Sequence, residues 1–215
     1  MSDVNYLVII GHGPSLIGQK CAELIDSMPV VRLKNPDWLP KEDYGKRTDI
    51  MVSSTEIMNA MSDWPQVPKE YWAQPKKGKW NTEMEAKFRA KAKAPLRIPL
   101  DTFLRWNAVF QGLTDRGIPN FSTGMAAIVF AMDFGREVVE FDEIVLAGFD
   151  TLCNPDEPYV KAGKGKWATG HDWWAEHRMI PRLIDEYSIP VRRLNAKTKT
   201  IEPMSWARER VWECA

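Results

Sequence analysis

Tyr6-Leu7-Val8-Ile9-Ile10-Gly11-His12-Gly13-Pro14-Ser15-Leu16 reads as a strand that runs into a glycine-bearing turn and then a helical pattern. Leu7 to Ile10 is continuous and apolar with three β-branched residues, as in a strand buried on both faces of a parallel sheet. Gly11 and Gly13 let backbone N–H groups approach a phosphate or sugar, and a helix N-terminus favours negative charge. A strand, a glycine turn and a helix in this order predict the first unit of a nucleotide-binding α/β fold. The dinucleotide fingerprint is absent, because its third glycine would fall at Leu16. Two glycines after a strand are a weak signal alone, and an ordinary tight turn is the plainer reading.

Working outward, Ile17, Cys21, Leu24, Ile25 and Met28 recur at helical spacing, so a first helix is expected from Leu16 to Met28, ended by Pro29. Val30-Val31-Arg32-Leu33 and Ile50-Met51-Val52-Ser53 read as further short strands. Asn35 stands where the second strand would meet ligand in a doubly wound sheet, or simply precedes Pro36 in a turn. A short helix is expected at Glu56–Met61. The stretch from Trp64 to Ala94 changes character, with many lysines, several prolines, Trp64, Trp72 and Trp80, and helical periodicity only near 81–93. Basic and aromatic residues interleaved in this way suit single-stranded nucleic acid, but a solvated insertion with a charged helix is the plainer reading. The insertion is set at about 64–98.

Phe103, Leu104, Trp106, Val109, Phe110 and Leu113 form one broad apolar face of a helix. The next helix, from Met125 to Met132, is apolar on nearly every side and should be central. Ser122 or Thr123 would cap it, and with Gly124 its first turn offers N–H donors to a carboxylate or phosphate. Glu143 to Gly148 is the clearest strand, ending at Phe149-Asp150. The irregular segment at about 154–170 follows the C-terminal end of that strand and reads as a functional lid. His171 and Asp172 open a helix running to Tyr187, and Ile189 to Leu194 forms the last strand expected.

The totals narrow the classes. A chain of 215 residues supports one substantial core and one domain, here 1–215. Lysine plus arginine and aspartate plus glutamate balance at 29 each, so no global field draws in nucleic acid or an anionic membrane. Cys21, Cys153 and Cys214 are few, odd in number and far apart, with no metal spacing and no disulfide framework. No charged and apolar leader pattern and no bilayer-length apolar run occur, so a cytoplasmic protein without a membrane segment is expected. Ten tryptophans suggest a ring-stacking surface as well as a core. Of three histidines, His12 and His171 fall at strand-to-helix junctions. His171 is the better base, because a helix N-terminus disfavours imidazolium. Glu176 lies five residues on, so direct pairing requires His171 to sit just before the helix.

Four motifs in this order resemble those of sialyltransferases. Val8-Ile9-Ile10-Gly11-x-Gly13-Pro14-Ser15-Leu16 is similar to the opening of the bacterial CMP–sialic acid transferases. Ser122-Thr123-Gly124, Ile144-x-Leu146-x-Gly148-Phe149-Asp150 and His171-x-x-x-x-Glu176 resemble the small and very small motifs of the animal-type family. Arg32-x-x-Asn35 and Gly45-x-Arg47-Thr48-Asp49 resemble the end of its large motif. The resemblance runs with gaps from Val8 to Leu194. It implies a mostly parallel, Rossmann-like fold of the GT-A-like type. It also implies metal-independent, inverting transfer of a sialic acid-type sugar from a CMP-sugar to a hydroxyl of a glycan or other acceptor, with no cofactor. Gly11, His12, Gly13, Pro14, Ser15, Asn35 and Asp150 would hold the nucleotide. Ser122, Thr123 and Gly124 would bind the donor phosphate or carboxylate, and His171 would deprotonate the acceptor.

Two departures touch that nucleotide pocket. His12 stands where the families commonly have asparagine, and Lys34 sets Arg32 and Asn35 one residue further apart than usual. The tyrosine pair or histidine that the resemblance leads one to expect at the leaving phosphate is not plainly present, and Tyr159, with Lys161, Lys164 or Lys166, is the candidate substitute. No Asp-x-Asp occurs; Glu140-Phe141-Asp142 precedes its strand and so falls at the wrong edge of the sheet. Two other classes fit the same features. One is a different nucleotide-using transferase, such as a pyrophosphokinase-like enzyme; the other is a non-catalytic nucleotide- or nucleic-acid-binding module.

Overall fold

A computed structural model describes residues 4–33, 39–54, 68–75, 82–155, 160–161, 165–166, 171–204 and 206. Its centre is β1 (Tyr6–Ile10), which pairs with a strand on each side and whose apolar run is buried because both faces of the sheet are covered. β2 (Val30–Leu33) pairs with it in parallel on one side and β6 (Glu143–Ala147) on the other. Beyond β2 come β3 (Ile50–Ser54), β4 (Glu70–Gln74) and β5 (Leu96–Arg97), all parallel. Beyond β6 come β9 (Val191–Asn195), parallel, and β10 (Thr200–Pro203), antiparallel. The order is therefore β10-β9-β6-β1-β2-β3-β4-β5, with a separate two-stranded pair, β7 (Val160–Lys161) and β8 (Gly165–Lys166). The chain departs from β1 toward β2 and returns on the opposite side at β6. This makes the C-terminal ends of β1 and β6 the topological switch point, where ligands bind in open α/β sheets.

Strand residues alternate between two packed faces. Leu7, Ile9, Val31, Val52, Ile144 and Leu146 lie under α4 (Leu100–Gln111), α5 (Thr123–Phe134) and α7 (Trp173–Tyr187). Val8, Ile10, Val30, Val145 and Ala147 face α1 (Ala22–Asp26) and α2 (Lys41–Tyr44). α5 is buried from Met125 to Met132, as its all-round apolar sequence requires, so its N-terminus is held rigidly at the switch point.

Three expectations differ from the structure. The helix expected from Leu16 to Met28 is a 3₁₀ turn, Pro14–Leu16, and then the short α1. Between them Gly18 has φ +75 and Lys20 φ +51, and the Asp43 carboxylate accepts both of their N–H groups at 2.7 and 2.8 Å. The glycine loop therefore does not feed directly into a long helix. The 64–98 segment, read as a solvated insertion, contributes β4 and β5 to the main sheet and carries α3 (Thr82–Lys91) between them. Trp72 is wholly buried against Phe130 and Phe134, which removes it from any ring-stacking surface. β10 was not expected at all. The helix expected at 56–61 lies outside the described residues, as does most of the 154–170 segment. Among the described residues, no helix is long and apolar enough to cross a membrane.

Candidate active site at the switch point

The glycines of the first loop permit the β1 and β6 ends to touch. Gly11 N–H donates to Ala147 O and Gly13 N–H to Gly148 O, each at 2.8 Å. A Cβ on Gly11 would lie 2.3 Å from Gly148 O, and one on Gly13 would lie 2.5 Å from Asp150 Oδ2. Neither position admits a side chain without moving backbone or breaking Asp150's contacts. Asp150 opens α6 (Asp150–Cys153), and its Oδ2 accepts the Ser15 N–H at 3.0 Å. From the other side the buried Tyr44 hydroxyl donates to Gly13 O at 2.5 Å. Burial, with Asp150 and Asp43 nearby, pushes the Tyr44 pKa far up, so this group stays a donor. The loop is thus fixed before any ligand arrives. His12 Nε2 donates to Leu33 O at 2.9 Å; because a carbonyl only accepts, the proton on this ring is placed at Nε2.

The second wall is the α5 N-terminus. Ser122 is its N-cap, with Oγ accepting from Met125 N at 3.0 Å. Ser122 also donates twice to one carboxylate: its N–H reaches Glu176 Oε1 and its hydroxyl Glu176 Oε2, both at 2.7 Å. Thr123 donates its hydroxyl to Gln74 Oε1 at 2.8 Å, and Gln74 Nε2 donates to Phe121 O at 3.0 Å. Gln74, at the end of β4, so braces the turn that leads into α5. The side chains of Ser122 and Thr123 are engaged within the protein. What the helix start presents to a ligand is the backbone N–H groups of Thr123 and Gly124, which no described residue accepts from.

The third wall is the start of α7. Asp172 is the N-cap, its Oδ1 accepting Ala175 N–H at 3.0 Å, and His171 stands one residue ahead of it. That is the placement direct pairing requires, and His171 Nδ1 lies 3.9 Å from Glu176 Oε1. Glu176 is wholly buried. Burial lifts its pKa to about 7 against the opposing pull of the two Ser122 hydrogen bonds, with the Asp172 charge raising it further. One buried carboxyl therefore holds the α5 cap and lies near the histidine.

Gly11, His12, Gly13, Ser122, Thr123, Gly124, Asp150 and His171 line a single cleft together with Glu176 and Trp173. Pro14 and Ser15 lie beyond Asp150, at an adjoining cavity with Arg193 and Asn195. Asn35 and Tyr159 fall outside the described residues; Lys161 lies on β7, and its side chain falls outside them too. Sequence reasoning missed Tyr44, Gln74, Thr114 and Arg116. None carries a motif, and each acts through a partner distant in the chain.

The mostly parallel sheet with this strand order is the fold of the sialyltransferases. Among solved structures, CstII of Campylobacter jejuni in complex with CMP is similar over 97% of this chain and 94% of that chain, with a TM-score of 0.57 and 14% identity. The monofunctional α-2,3-sialyltransferase Cst-I of the same organism covers 100% of this chain and 91% of its own, at TM-score 0.60 and 12% identity. A mammalian sialyltransferase in complex with Gal-β-1-3GalNAc-ortho-nitrophenol covers 87% and 69%, at TM-score 0.54 and 18% identity. No family model matches the chain, and no curated protein matches it in sequence.

Proposed function

We propose that this chain is a glycosyltransferase that moves a sialic acid-type sugar from a CMP-sugar to an acceptor hydroxyl, with His171 as general base. The observation that carries the reading is convergence. The glycine loop after β1, the N-terminus of α5 and His171 meet in one cleft at the switch point of a sialyltransferase fold. Neighbours of that fold hold CMP, and one holds CMP with a trisaccharide acceptor.

In this reading the CMP phosphate faces the Thr123 and Gly124 N–H groups, whose aligned dipoles stabilise the charge that grows as the glycosidic bond breaks. A single phosphate needs no more than such donors and neighbouring basic or hydroxyl groups, so metal-independent transfer belongs to the proposal. The acceptor oxygen bonds to the anomeric carbon as the bond from that carbon to the phosphate oxygen breaks. Attack from the face opposite CMP inverts the centre. His171 takes the acceptor proton, and the resulting imidazolium lies near the Glu176 carboxyl, whose ionised form favours the charged ring.

Calorimetric titration with CMP, CDP, UDP and ATP, each in EDTA and in magnesium, tests the donor class. The expected result is CMP binding that ignores the metal. Binding of ATP only with magnesium would replace this reading with the pyrophosphokinase-like one.

A further inference from the structure

We propose that the loop after α4 is a latch that sets the position of His171, with Thr114 and Arg116 as its positioning residues. The inference rests on His171 being the base. His171 precedes the N-cap of α7 and so lies outside the helix's own backbone ladder. An N-cap aspartate needs only one oxygen for its helix, and Asp172 uses Oδ1 for that purpose. Its second oxygen accepts the Thr114 hydroxyl at 2.8 Å, and Asp172 is only 5% exposed. Arg116 Nη1 donates to the His171 carbonyl at 3.1 Å. Arg178, on α7, donates back to Leu113 O, closing the contact from the other direction.

The backbone at position 171 is thus held at its own carbonyl and through the next side chain by residues more than fifty positions away. The helix does not need these bonds to stay docked, because Ala175, Met179, Ile180 and Leu183 anchor α7 in the core. Loss of the latch therefore acts on where the imidazole sits, while α7 remains in place. Catalysis falls steeply when a reacting group shifts by about 1 Å, by up to about 10²-fold.

The test compares Thr114→Val, Thr114→Ser, Arg116→Gln and His171→Ala. The readout is CMP release from CMP-N-acetylneuraminic acid, with Gal-β-1-3GalNAc-ortho-nitrophenol as acceptor; release counts whether the sugar passes to the acceptor or to water. The expected result for Thr114→Val is a kcat lowered about 10- to 100-fold with donor KM and CMP affinity unchanged. Thr114→Ser, which keeps the hydroxyl, restores the rate, and Arg116→Gln shifts kcat the same way by less. Wild-type kcat in Thr114→Val, alongside a dead His171→Ala, overturns the latch and leaves the base standing. Wild-type turnover in His171→Ala removes the base, and the latch falls with it. If Thr114→Val melts early, Arg116→Gln decides, because its side chain is exposed, and wild-type kcat there overturns the proposal.

Discussion

Replacing Glu176 with glutamine should change how stability depends on pH. Glu176 is wholly buried, and its carboxyl is held at about 7 rather than near 4.5. The folded chain therefore keeps this proton over a range in which the unfolded chain has released it. A raised carboxyl pKa favours folding at low pH, and that contribution is lost as the pH climbs from 4.5 to 7. At about 1.4 kcal/mol per pH unit the loss amounts to about 3 kcal/mol, and complete burial leaves no solvent screening to discount. Glutamine stays neutral throughout. Its oxygen still accepts the Ser122 N–H, but its NH₂ meets Ser122 Oγ in place of an acceptor, which costs about 1 kcal/mol. At pH 4, where the side chain is largely neutral in both the folded and the unfolded chain, the variant should be less stable by about 1 kcal/mol, and near pH 5, where the unfolded carboxyl has largely ionised, nearly equal to wild type. At pH 8 it should be more stable by about 2 kcal/mol. Urea unfolding followed by tryptophan fluorescence at pH 4, 5, 6, 7 and 8 measures the difference directly. A wild-type-minus-variant difference that does not change with pH would refute the argument.

Two further outcomes follow from the same geometry. Gly13→Ala puts a Cβ 2.5 Å from Asp150 Oδ2 and 2.8 Å from Gly148 O, so the loop must shift. Stability should fall by about 1–3 kcal/mol. CMP affinity measured by calorimetry should weaken by at least about tenfold; unchanged affinity would show that the loop does not shape the nucleotide site. Asp49→Asn tests the opposite pH direction from Glu176. Burial raises the Asp49 pKa, but hydrogen bonds from Arg47 and the Val30 N–H, with the Arg47 and Lys69 charges, outweigh it and hold the group below its usual value. That contribution exists above the unfolded pKa and is lost as the pH falls through the folded one. Thermal melts should show the variant weaker by about 2 kcal/mol near pH 7, with the deficit shrinking as the pH falls below the ordinary carboxylate range; a deficit that does not change with pH would rule the charge out.

The parts of the fold visible in the sequence are those whose causes are local. β1 is a continuous apolar run and α5 is apolar all round, so each announces burial on every side. Ser122 caps α5 as its position suggests, whereas His171, expected to open its helix, stands one residue ahead of the N-cap, the placement that pairing with Glu176 would require. What was hidden depends on distant partners. The break in the first helix is held by Asp43, more than twenty residues on, which spacing cannot reveal. Tyr71 and Trp72 sit among lysines and prolines, and only the flanking β3 and β5 turn that stretch into an interior strand. β10 is short, polar and half exposed, so it carries no hydrophobic signature. Within the site, the residue types of the cleft were legible as motifs, whereas the bonds that spend Ser122 on Glu176 and Thr123 on Gln74 were not.

The most direct measurement is the rate of CMP release from CMP-N-acetylneuraminic acid in EDTA by the wild-type chain and by His171→Ala, with a galactose-terminated acceptor present. The account predicts metal-indifferent release by the wild type, reduced about 10²- to 10⁴-fold in the variant while CMP binding survives. Equal rates in the two proteins, or release that depends on added metal, would contradict it.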